Sequence, residues 1–165
     1  DGYLLGVQDL ATADCQDPRR AVAIQFPGKF HVCDIRTGKY LAQTDRLEVE
    51  LPRGGHRLYS LMPYRVMAVT AQPDQPAATR GETITIAADL QLEPAGKRDL
   101  HVLRVEAFAP TGKPFLPFER ILRMPATGPL AIPYATAPED PPGKWSFRIT
   151  DVNSGANTVV NVDLK

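Results

Sequence analysis

The sequence predicts an all-β fold built as two tandem small β-sandwich units. Three observations carry this. The 16 prolines and 12 glycines of the 165 residues interrupt the chain at the spacing of short strands joined by turns. Residues 82–92 alternate cleanly, with Ile84, Ile86, Ala88, Leu90 and Leu92 on one face and Thr83, Thr85, Ala87, Asp89 and Gln91 on the other, the period of a half-buried strand. No window sustains a 3.6-residue period, so no long helix is expected. The stretch Leu61-Met62-Pro63-Tyr64-Arg65-Val66 joins two apolar strands across a proline, and is read as a seam between a first unit, 1–64, and a second, 65–165.

Composition narrows the function classes. Hydrophobic residues make up 43% of the chain, enough for a core. Basic and acidic residues balance at 19 each and no basic run stands out, so nucleic-acid binding is not expected. No apolar run reaches the roughly 20 residues of a membrane-spanning helix, and Asp1-Gly2-Tyr3 is not the start of a signal peptide. A chain opening at Asp1 without Met reads as a processed product or an excised piece, so the missing leader says nothing of where the parent resides. Cys15 and Cys33 allow one disulfide, but Cys33 lies in an apolar strand and reads as a small hydrophobe.

In the first unit, residues 2–8 carry Tyr3, Leu4, Leu5 and Val7 as a strand, and 9–20 read as a loop around Asp17-Pro18. Residues 20–26 alternate as a strand, Pro27-Gly28 is expected to reverse the chain, and 30–35 follow. Arg36-Thr37-Gly38-Lys39 is a hairpin turn with Gly38 where positive φ is wanted and Asp34 placed to accept backbone N–H groups. Leu47, Val49 and Leu51 face the core opposite Arg46, Glu48 and Glu50, and 58–62 close a set of about six short strands. Such a unit has a thin core.

In the second unit, 66–71 and 82–92 are strands separated by a loop over 72–81. Leu103, Val105 and Ala107 form the inner face of the next strand. Residues 115–124 are extended, and Pro114 and Pro117 favour a sheet edge. A short strand at 130–134 precedes Trp145, Phe147 and Ile149, which share an inward face, and the Asp151–Gly155 hairpin leads to Thr158, Val160, Val162 and Leu164. About seven strands in this length is the count of an immunoglobulin-like sandwich.

Candidate chemistry is sparse. His31, His56 and His101 are far apart with no ligand-like spacing and read as surface histidines rather than a zinc site. Glu48 and Glu50 share a solvated strand face rather than the two sides of a glycosidase cleft. Glu139, Asp140, Asp151 and Asn153 would hold calcium only if loop and hairpin met at one end of the sandwich, and turn geometry explains them better. Ser60, Ser146 and Ser154 lack a nucleophile elbow, and Cys33 lacks an activating motif. No catalytic residue, metal or cofactor is expected. A sugar platform needs exposed aromatic rings. Phe108, outward by alternation and beside Phe115 and Phe118 on the edge segment, makes the best patch, but the preferred reading has these rings covering the junction of the two units.

The runs His31-Val32-Cys33-Asp34-Ile35-Arg36-Thr37-Gly38-Lys39-Tyr40-Leu41, Leu47-Glu48-Val49-Glu50-Leu51-Pro52-Arg53-Gly54 and Leu58-Tyr59-Ser60-Leu61-Met62-Pro63-Tyr64 resemble the C-terminal β-domain of large bacterial glycoside hydrolases of the β-galactosidase type. Cys33 replaces that pattern's aromatic, and Ser60-Leu61-Met62 its small-Leu-Leu part. The resemblance covers roughly the first two fifths of the chain. Residues 105–113 and 141–145 look like the immunoglobulin-like or macroglobulin-like modules that follow such domains. The family's catalytic carboxylates sit in a barrel with no counterpart here. The resemblance therefore implies a non-catalytic, structural end of a secreted or periplasmic carbohydrate-active protein, partnered by its parent's catalytic domain. A carbohydrate-binding module using surface aromatics is the alternative, and an independent hydrolase a third.

Overall fold

The computed structural model describes residues 2–10 and 19–165. Cys15, and with it the possible disulfide, lies outside them. The described residues form twelve strands in three sheets and no helix. The fold is all-β, as the proline and glycine punctuation implies. The chain divides into two compact units, Asp1–Arg65 with Asn153–Gly155, and Val66–Val152 with Ala156–Lys165.

The first unit rests on one sheet in the order β1-β4-β2-β3, formed by β1 (Tyr3–Gln8), β2 (Arg19–Asp34), β3 (Lys39–Pro52) and β4 (His56–Met62). Fewer, longer strands replace the six expected. Pro27-Gly28 does not reverse the chain. It sits in a bulge of β2, where the register with β3 jumps from Gln25↔Arg46 to Phe30↔Thr44, setting residues 26–29 against Asp45 alone. Bulges bend a strand and increase its twist, and here the bend is required. A straight β2–β3 ribbon would carry Pro52 about 40 Å from the level of Ile35. Yet the Ile35 amide bonds to the Leu58 carbonyl, and only residues 53–55 join Pro52 to His56. The ribbon must fold over, and one sheet thereby supplies both walls of a core: Phe26, Leu47, Val49 and Leu51 pack with Val32, Tyr59 and Leu61. The tight Pro52–Gly55 turn is closed by the Gly55 amide on the Pro52 carbonyl, 2.7 Å, and by Asp9, which accepts from the Gly54 amide at 3.1 Å.

The second unit sets a three-stranded sheet, β10-β7-β5, and a five-stranded sheet, β6-β12-β11-β8-β9, on one hydrophobic core. Its strands are β5 (Arg65–Pro73), β6 (Ala77–Ala78), β7 (Thr83–Glu93), β8 (Val102–Phe108), β9 (Pro114–Arg123), β10 (Leu130–Ala135), β11 (Gly143–Asp151) and β12 (Asn157–Leu164). The alternation predicted for 82–92 holds: Ile84, Ile86 and Ala88 are fully buried. So are Leu103, Val105, Trp145, Phe147 and Ile149 on the facing sheet. Fully burying such side chains contributes about 1.5–3 kcal/mol each. The indole N–H of Trp145 donates to the Pro141 carbonyl at 3.0 Å, which removes the cost of burying it. β9 lies at the sheet edge, where Pro114 and Pro117 remove no ladder bond from an interior strand. The two-residue β6 pairs parallel to the end of β12, inside what the sequence suggests is a loop.

Candidate functional site

The three rings named as a candidate binding patch, Phe108, Phe115 and Phe118, part company in the structure. β8 and β9 pair regularly from Val102↔Arg123 to Glu106↔Glu119, and then the register jumps to Phe108↔Pro114. Residues 115–118 therefore stand against Ala107 alone. Two residues three apart cannot share a face of a regular strand, but this bulge turns both Phe115 and Phe118 to the core. Phe118 is buried, edge-on to Tyr134 at 4.7 Å and to Phe147 at 6.0 Å between centroids. Phe115 meets Trp145 edge-on at 5.1 Å. Phe118 thus offers no open face to a sugar, and Phe115 is half-buried against the core. Leu116 takes the outward place instead, 73% exposed.

Phe108 alone keeps its predicted orientation. It is half-buried on the outer face of the five-stranded sheet, and the Arg148 guanidinium lies over its ring, 4.8 Å from the centroid. Around it that face is polar. Glu106 and Glu119 are direct cross-strand partners, a like-charge pairing that is unfavourable by itself. Arg104 relieves it, donating from Nη2 to Glu106 at 2.8 Å and from Nε to Glu119 at 3.0 Å. The Ser146 hydroxyl donates to Asn161 Oδ1 at 2.8 Å. A cavity of about 20 Å³ beneath the bulge, lined by Glu106, Ala107, Phe115 and Glu119 among others, has room for one water.

The histidine reading needs correction at one position. His101 is not on the surface. It is fully buried, with Nδ1 2.8 Å from Asp151 Oδ1, and Asp151 is equally buried. Alternation could not reveal this, because His101 precedes the first residue of β8 and its partner is fifty residues away. A His–Asp pair with no exposed atom has no access to substrate, and it serves the core. His31 Nδ1 lies 3.2 Å from the Tyr40 hydroxyl. Asp140 accepts from the Ala137 amide at 2.8 Å and from the Tyr134 hydroxyl at 3.3 Å. Burial, and then the charge and hydrogen bond of Asp140, hold the Tyr134 phenol well above the usual tyrosine range. Ser60 donates to the Asn153 carbonyl. Asp34 accepts from the Arg36 and Thr37 amides at 2.9 and 3.2 Å, as its hairpin position implies. Among the described residues no group of three or more His, Cys, Asp or Glu is arranged to hold a metal, and no helix is long and apolar enough to cross a membrane.

A second surface feature, which the sequence reading missed, is a shallow groove of about 600 Å³ over the paired β1 and β4. Arg36, His56 and Arg57 line it together with Gly6, Val7, Gln8 and Leu58. These residues are spread over more than fifty positions, and only strand pairing collects them.

No protein-family model matches the sequence, and no curated protein matches it. Solved structures similar to this chain include a β-glucuronidase from Parabacteroides merdae, matched over 99% of this chain and 28% of that one at 9% identity and a TM-score of 0.37. A β-glucuronidase from Bacteroides uniformis is matched over 98% and 26%, at 9% identity and a TM-score of 0.32. A putative β-galactosidase from Bacteroides fragilis is matched over 97% and 32%, at 11% identity and a TM-score of 0.30. This chain thus spans about a third or less of each of these three chains.

Proposed function

We propose that the chain is a non-catalytic accessory module of a larger carbohydrate-active protein. In this reading it is bacterial, lies outside the cytoplasm in the periplasm or beyond the cell, and acts by packing on, spacing or assembling the catalytic domain of its parent polypeptide. The observation that supports this best is how its chemically capable side chains are used. His101 and Asp151 pair inside the core, Asp140 holds a loop, and Phe115 and Phe118 fill the sandwich. We read the second unit as immunoglobulin-like. Its two antiparallel sheets, with the short parallel β6 joining the edge beside β12, support that assignment. The test is deletion of residues 1–165 from the parent. The expected result is an enzyme with lowered stability or altered assembly and an intact chemical step. The isolated chain is expected to be inactive on a panel of aryl glycosides, and turnover by it would refute the proposal.

One observation favours a second reading, a carbohydrate-binding module. Phe108 sits on an outer sheet face among Arg104, Glu106, Ser146 and Asn161, a ring surrounded by hydrogen-bonding groups. A saccharide would have to displace the Arg148 guanidinium from the ring. Binding to a glycan array that is lost in Phe108→Ala and strengthened in Arg148→Ala would favour this reading over the structural one. Trp145 is fully buried, so its fluorescence is a poor reporter for the experiment.

A further inference from the structure

We infer that the open edge of β1 is a docking strand for an extended, acidic polypeptide segment. Four observations converge on it. β1 is the terminal strand of its sheet and, among the described residues, pairs only with β4, so its outward N–H and C=O groups are available to another strand. Its outer face, and Leu58 opposite Gly6, are apolar and open to solvent: Leu4 is 63% exposed and Leu58 36%. An apolar strand edge of this kind is a liability unless something covers it.

Gly6 supplies the third observation. It sits mid-strand, where glycine weakens a sheet. Its φ is not positive, and among the described residues a Cβ placed on it would meet nothing within 4 Å. Neither backbone geometry nor crowding within the fold therefore demands a glycine. Close approach of another backbone is the remaining use of a bare strand position.

The fourth is charge. Three basic side chains, Arg36, His56 and Arg57, line one groove together with Gly6 and Leu58, and no acidic residue among the described residues lines it. Arg36 and Arg57 make no ion pair among the described residues. The acids nearest in sequence are engaged elsewhere: Asp34 accepts from the Arg36 and Thr37 amides, and Asp9 accepts from the Gly54 amide and lies 3.8 Å from Arg20 Nε. In a chain with no net charge, this is a local concentration of one sign, and it selects an anionic partner. An added strand carrying acidic side chains at alternate positions would satisfy the ladder, cover Leu4 and Leu58, and reach the guanidinium groups on one face. The inference is independent of the carbohydrate reading.

The experiment uses the isotopically labelled 165-residue chain and an eight-residue peptide alternating glutamate with valine and threonine. Saturable binding is expected, with slowed amide exchange confined to β1. A lysine-for-glutamate peptide should not bind. A peptide with a central proline, which cannot complete the ladder, should bind about tenfold or more weakly. Combining Arg36→Glu with Arg57→Glu should weaken binding by about tenfold or more and leave the remaining amide spectrum unchanged, since neither side chain is part of the core. Gly6→Val should weaken it as well. Three results would overturn the inference: no saturable binding, equal binding of the proline peptide, or equal competition by an acidic oligosaccharide. The last would assign the groove to a small anion instead.

Discussion

His101 and Asp151 meet side chain to side chain at 2.8 Å with no contact with solvent. The pair fastens the entry of β8 to the end of β11. Backbone bonds surround it: the Met124 amide donates to the His101 carbonyl at 2.9 Å, and the Val152 amide to the Val102 carbonyl at 2.9 Å. Removing one partner leaves a polar group in the core with a lost bond, and such changes cost more than the bond contributes. Asp151→Ala should therefore lower stability by about 3 kcal/mol, read as a shift of the urea midpoint. Asp151→Asn, which keeps the shape and an acceptor oxygen, should cost clearly less. A loss below about 1 kcal/mol in Asp151→Ala would show that the pair is not buried in solution.

The tyrosines give a prediction at high pH. Tyr134 is held neutral by burial first and by Asp140 second, and Tyr59 is raised by burial first, then by Asp34, with Arg57 opposing. For an acid whose folded pKa lies above its unfolded value, the folded state keeps its proton longer. The stability this contributes is full below the unfolded value near pH 10 and is lost as pH rises toward the folded value. Absorbance at 295 nm should show a late phase at high pH in which Tyr134 ionises only as the second unit unfolds. Tyr134→Phe should remove that last phase. Ionisation of Tyr134 and Tyr59 near pH 10 with the sheets intact would contradict their placement.

Phe118 and Phe108 look interchangeable in the sequence and differ in the structure. Phe118→Ala should cost about 3–5 kcal/mol, because its ring packs against Tyr134 and Phe147. Phe108→Ala removes a half-buried ring under an exposed guanidinium and should cost under about 1 kcal/mol. Thermal unfolding of the two variants side by side measures the difference, and similar losses would mean that the bulge in β9 is misplaced.

The two bulges also mark where sequence reasoning stopped. Strand faces with uninterrupted alternation, such as Ile84 to Leu90 or Trp145 to Ile149, could be read directly because the side-chain period is two. The hairpin at Asp34 to Lys39 could be read from its turn residues. In β2 and β9, four residues stand against one on the partner strand, and the parity that assigns faces is lost. Pro27-Gly28 then looks like a reversal when it is a bend, and Phe118 looks like surface when it is core. Both errors depend on a partner strand that local pattern does not name. The groove over β1 was hidden for the same reason, since Gly6, Arg36 and Arg57 become neighbours only through pairing.

Glycine substitutions test a close backbone approach inside the first unit, which includes the Asn153–Gly155 turn. Gly155 has φ of 75°, and a Cβ on it would collide with the Cα and carbonyl of Gly38. Gly38, at φ of 64°, would place its own Cβ 3.1 Å from the Gly155 Cα. Gly112 provides the control: its φ of 77° is nearly the same, but nothing lies within 4 Å of its added Cβ. Gly112→Ala should thus incur only the left-handed backbone penalty, about 1–2 kcal/mol. Gly155→Ala carries that penalty and the displacement of a backbone segment, which adds about 1–3 kcal/mol because neither partner is a side chain that can rotate away. Chemical denaturation of the two variants compares them directly. Equal losses would mean that Gly38 and Gly155 are not in contact in solution, and that the Ser60 bond to the Asn153 carbonyl does not hold the turn against the sheet.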